Sequence, residues 1–124
     1  MGQVLLLVLL AVQVWALYAP TVPGPDTGLP GQDKIGHLLL FAAPAWVART
    51  LLPRWPAARW VLMALIAHAL ISEPIQGWLT TARLADPWDT VANLVGISLG
   101  WAIAARWPVT GREGGVRGQN GGAR

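Results

Sequence analysis

Nine polar or charged side chains in three short clusters are the parts of this chain best suited to chemistry. Asp33, Lys34 and His37 form the first, Glu73 and Gln76 the second, and Arg83, Asp86, Asp89 and Asn93 the third. Between and around them the chain is almost entirely Leu, Ala, Val, Ile and Trp. Ionisable groups persist in such apolar surroundings mainly where they pair or work. A histidine and a carboxylate can pass a proton, carboxylates with an imidazole can ligate a cation, and Lys with Arg can hold a phosphate. Two bases, Lys34 and Arg83, face four acids, Asp33, Glu73, Asp86 and Asp89. Pairing alone cannot neutralise that set, so a carboxylate is expected to share a proton or bind a cation.

Most of these residues also have plain structural roles open to them. Asp86 can cap a helix whose first residue is Pro87, with Asp89 completing a capping-box-like pair. Asp33 can cap the helix that carries His37. Asn93 can bond across helices, and Glu73 can pair with Arg83 or Lys34. Ser72 has the geometry to bond a carbonyl one turn back rather than to act as a nucleophile. His68, near the middle of an apolar stretch and far from the clusters, is expected to be packed and hydrogen-bonded. Pro74 removes a donor to the Leu70 carbonyl, and a kink is expected there.

The elements that must position these groups are apolar helices. Hydrophobic residues make up 54% of the 124-residue chain and charged residues 12%, which excludes the polar outer faces of a soluble bundle. Four apolar stretches, at about residues 2–18, 35–52, 60–79 and 90–105, are each roughly 24–30 Å long as helices. The expectation is an all-α integral membrane protein with four transmembrane helices. The first stretch is read as a retained helix, because no base precedes it and no small-residue cleavage signature follows. Arg49, Arg54 and Arg59 crowd one loop, and Arg106, Arg112, Arg117 and Arg124 the tail. Positive-inside bias then places both termini in the cytoplasm and the three polar clusters at the outer leaflet. Residues 1–108 form the membrane domain and 109–124 a disordered, basic, Gly-rich tail. With no Cys, disulfides and thiolate chemistry are excluded. The net charge of +3 does not point to nucleic acid, since the Arg residues lie in one loop and the tail without an aromatic-lined basic face.

Asp89, Asn93, Gly96 and Gly100 recur at steps of four, three and four. That is one helical stripe, polar at one end and small further in, suited to close packing against another helix. With Asp33-Lys34-x-x-His37-x-x-x-Phe41, Glu73-x-x-Gln76 and Arg83-x-x-Asp86-x-x-Asp89, the set resembles the VanZ-like membrane protein family. Thr80-Thr81-Ala82 stands where that family often has Pro-Gly, and Pro74 between Glu and Gln is a second departure. The resemblance covers the four apolar stretches and omits the tail. It implies a small protein of the bacterial cytoplasmic (inner) membrane, from a family whose founding member is linked to teicoplanin resistance.

The expected site is a polar pocket lined by His37, Glu73, Gln76, Arg83, Asp89 and Asn93, with Lys34 at its rim and Asp33 and Asp86 as caps. The leading functional expectation is non-catalytic: membrane lipids are the partners, through an envelope lipid head group or a lipid-linked cell-wall precursor. The alternative is an enzyme acting on a lipid head group, with His37 and Glu73 as acid and base. No cofactor or metal belongs to either expectation; a variant places a divalent cation between Glu73, Asp89 and His37. A bundle whose ion pairs only set helix register is the remaining alternative.

Overall fold

The computed structural model describes residues 1–21, 27–52, 55–79 and 86–107. Four helices follow one another: α1 (Gly2–Tyr18), α2 (Gln32–Leu51), α3 (Trp55–Leu79) and α4 (Pro87–Arg106). Among the described residues there is no strand. Gly31, at φ 80°, takes the left-handed turn into α2 that a side chain would strain. Asp86 caps α4, its carboxylate accepting the Trp88 N–H at 3.0 Å, and Pro87 opens the first turn. Asp33 does not cap α2: the N-cap is Gly31, and Asp33 lies in the first turn, with no side-chain capping bond at the helix start. Pro44 and Pro74 both lie inside helices.

The four-span expectation is not supported. Among the described residues, one stretch, Pro56–Leu79 of α3, is both long and apolar enough to cross a membrane. The apolar α1 is shorter, at 17 residues. α2 and α4 have 20 residues each; α2 begins at Gln32, earlier than hydropathy suggests, and α4 at Pro87, behind its Asp86 cap. Asp33 and Lys34 therefore belong to α2 and Asp89 to α4. With His37, Arg49 and Thr50 in one, and Asn93, Ser98 and Arg106 in the other, neither helix is apolar enough to count as a candidate span. The cytoplasmic placement of both termini and the outer-leaflet placement of the clusters presuppose four spans, and they fall with them. α3 also begins at Trp55 rather than near residue 60, so Arg59 is helical and not part of a loop.

The closest packing is between α2 and α4, which run side by side in the same direction. A Cβ at Gly96 would overlap the carbonyl oxygen of Leu38, and one at Gly100 that of Ala42. Both glycines are buried, as is Asn93 on the same stripe. The missing side chains let the two backbones approach to contact. Leu17, Phe41, Ala45, Leu65, Ala69 and Ile97 form the main core, and Leu6, Val47 and Ala48 a second one. Outward faces remain apolar: Val4, Leu7, Val8, Leu39, Met63, Leu70 and Ile71 are all exposed. The parallel course of α2 and α4 brings their N-terminal turns together beside the C-terminal turns of α1 and α3, and the polar clusters meet there.

Candidate functional site

Lys34, on the first turn of α2, reaches across to α4. Its ammonium donates to Asp86 at 2.7 Å, Asp89 at 3.2 Å and its neighbour Asp33 at 3.3 Å. The Asp86 carboxylate is the main cause of a Lys34 pKa raised above the ordinary lysine value, with Asp89 and Asp33 adding to it against some loss of hydration. Reciprocally, Lys34 and then the Trp88 N–H hold the Asp86 carboxyl below the usual range. The donors of this ammonium are thus committed to carboxylates within the protein.

One turn deeper lies a buried relay. The Ser72 hydroxyl donates to the Ala69 carbonyl at 3.1 Å, so its oxygen receives the Asn93 amide N–H at 3.3 Å. That fixes the Asn93 amide, leaving its carbonyl oxygen 3.0 Å from His37 Nδ1. An acceptor there requires a proton on Nδ1, so in the neutral ring the lone pair lies on Nε2, on the side away from the relay. Nε2 lies 3.6 Å from Asp89 Oδ2.

Glu73 comes to the same point from α3. Its Oε2 accepts the Asp86 backbone N–H at 2.9 Å. That N–H is the one a capping box would give to Asp89, so Asp89 is left to face Lys34 and His37. Glu73 Oε1 is buried and accepts no hydrogen bond among the described residues. One ligand-type atom from each of His37, Glu73 and Asp89 lies within 4.8 Å of the others. Glu73 is 6% exposed and His37 8%, so titratable groups with little access to water are concentrated here.

Of the expected lining, the structure brings together Lys34, His37, Glu73, Asp89 and Asn93, on three different helices. Gln76 is buried too, but its amide donates to the Leu17 carbonyl at 2.6 Å and thereby ties α3 to the last turn of α1. Arg83 and the tail at 109–124 lie outside the described residues. His68 is half-buried, with Nε2 3.0 Å from the Tyr18 hydroxyl and its ring against Phe41, which suits a packing role. Ser72 bonds a carbonyl and does not act alone; its part in orienting Asn93 is legible only once α3 and α4 are side by side. Gln13, the one polar residue between Val4 and Leu17, is fully buried, with no hydrogen-bond partner for either amide atom among the described residues. Its signal was its place among Leu6, Leu10 and Leu17 on one apolar helical face.

Compared with known proteins, the chain matches no family model, no curated protein and no solved structure.

Proposed function

We propose that this chain is a membrane-associated, VanZ-like binding protein whose polar end takes up the head group of an envelope lipid or lipid-linked precursor without transforming it. The supporting observation is the buried Glu73 Oε1, an acceptor with no hydrogen-bond partner among the described residues, in a site built by three helices. A purely structural polar network tends to close on itself, because an unmet buried acceptor costs about 1–3 kcal/mol. Membrane association is supported by the apolar Pro56–Leu79 stretch and by the exposed apolar faces of the other helices.

The rim is a poor direct receiver of phosphate, since the Lys34 ammonium already serves three carboxylates. The pocket instead has acceptor capacity for a head-group ammonium or hydroxyl, or for a cation. The proximity of His37 and Glu73 favours one rival, acid–base catalysis on the same head group. The deciding experiment is mass spectrometry of lipids that co-purify with the wild type and with Glu73→Gln in mild detergent. Enrichment of one head-group class by the wild type, lost in the variant, is expected. Identical lipid profiles would refute the reading. Turnover of a head group by purified protein, abolished in folded His37→Ala, would replace binding with catalysis.

A further inference from the structure

We propose that His37, Glu73 and Asp89 form a site for one divalent first-row metal ion, with zinc and manganese as the ions best suited to it. This concerns the site just described, but it depends on the head-group reading only for what the ion's open positions would receive.

Three acceptor atoms meet with no donor between them. Asn93 holds the proton of His37 on Nδ1, so Nε2 presents a lone pair, 3.6 Å from Asp89 Oδ2. Glu73 Oε1 is buried and has no hydrogen-bond partner among the described residues. One ligand-type atom from each residue falls within 4.8 Å of the others. Tetrahedral ligand atoms about 2.0–2.2 Å from a shared ion lie roughly 3.3–3.6 Å apart, a spacing the His37–Asp89 pair already has, and the set closes when the Glu73 carboxylate draws in by roughly 1 Å.

The surrounding groups support ligation rather than chance proximity. A metal-binding histidine usually donates its other ring N–H to an oxygen, which fixes tautomer and ring orientation; Asn93, itself oriented by Ser72, does this here. Glu73 is held in place through its second oxygen by the Asp86 N–H, and Asp89 through its second oxygen by Lys34. Each carboxylate therefore has one oxygen held by a neighbouring donor, and Glu73 has a second with no hydrogen-bond partner among the described residues. Charge points to a doubly charged ion. Lys34 offsets part of Asp33, Asp86 and Asp89, while Glu73 meets no cationic side chain within salt-bridge distance among the described residues. One imidazole with two carboxylates suits zinc and manganese better than calcium, which favours six or more oxygens. Three protein ligands leave positions open, and an ion there would turn an acceptor-rich pocket into a receiver of phosphate or hydroxyl oxygen.

The test uses the full-length protein in mild detergent, stripped with chelator and titrated with Mn²⁺, with free ion read by electron paramagnetic resonance. Zn²⁺ is titrated in parallel against a chromophoric chelator. One ion per chain is expected, with affinity falling at least tenfold in Glu73→Gln and in His37→Gln while far-ultraviolet circular dichroism is unchanged. Should a ligand variant fail to fold, a Zn²⁺-dependent rise in wild-type melting temperature that Mg²⁺ does not reproduce carries the test. The proposal is overturned if the wild type binds neither ion at 100-fold molar excess, or if binding is equal in folded Glu73→Gln. Ion binding without head-group enrichment would remove the function proposed above and leave the metal site standing. Head-group enrichment from metal-free protein would leave that function and remove the metal from it.

Discussion

Gly96 and Gly36 give a sharp test of how α2 and α4 are held together. Both are helical glycines, so replacing either with Ala gains about the same helix propensity, roughly 0.8–1.0 kcal/mol. Their surroundings differ. A Cβ at Gly36 meets nothing within 4 Å, whereas one at Gly96 would overlap the carbonyl oxygen of Leu38 and press on its carbonyl carbon and Cα. Those are backbone atoms, which cannot turn aside as a flexible side chain can. Relief requires α2 and α4 to separate, disturbing the Gly100–Ala42 contact and the His37–Asn93 bond along the same seam. Such overpacking typically costs about 1–3 kcal/mol. Propensity cancels between the two variants, so their difference in unfolding free energy isolates the packing cost. The unfolding constants should differ by about 5- to 150-fold. Gly36→Ala should be slightly more stable than wild type and Gly96→Ala clearly less stable than Gly36→Ala. The measurement is a denaturant titration of detergent-solubilised protein followed by circular dichroism. Equal midpoints and slopes for the two variants would refute the close seam.

The cap at α4 gives a second expectation. Asp86→Ala should lose about 0.5–2 kcal/mol and Asp86→Asn much less, because the side-chain oxygen that accepts the Trp88 N–H is kept, and the same titration reads both. Gln76→Met keeps volume but removes the donor to the Leu17 carbonyl, and a loss of about 1–3 kcal/mol is expected in that assay. Tyr18→Phe should cost about 0.5–1.5 kcal/mol through its bond to His68, read in the same titration. Acid should also weaken the rim. Lys34 lowers the Asp86 pKa in the folded state, so that contribution is complete above the ordinary carboxylate value, about pH 4, and is lost as pH falls through the lower folded value. Wild type and Lys34→Met should therefore differ most at mildly acidic to neutral pH and converge toward pH 2; a gap that widened on acidification would contradict the pairing.

The sequence by itself determined that the chain is helical and apolar, that α4 starts at an Asp-Pro cap, and that Asp89, Asn93, Gly96 and Gly100 share one face. Each follows from local chemistry: a proline tolerated at a first turn, a carboxylate that accepts an orphan N–H, a 3.6-residue period. The gathering of His37, Glu73 and Asp89 was legible as a cluster because His37 and Asp89 stand near the N-terminal ends of their helices and Glu73 near the C-terminal end of the helix between them, which up-and-down packing brings to one side. Tertiary structure decided the rest. Local chemistry offered Asp33 as the cap of α2, whereas the structure starts that helix at Gln32 and puts Asp33 in its first turn, beside Lys34, which bridges to the start of α4. Among the described residues one stretch, in α3, is apolar and long enough to span. Gln76 and Asn93 look alike as polar residues on apolar helices. Their separate roles, one tying α1 and the other orienting His37, depend on which atoms lie opposite, and sequence spacing within one helix carries no information about that.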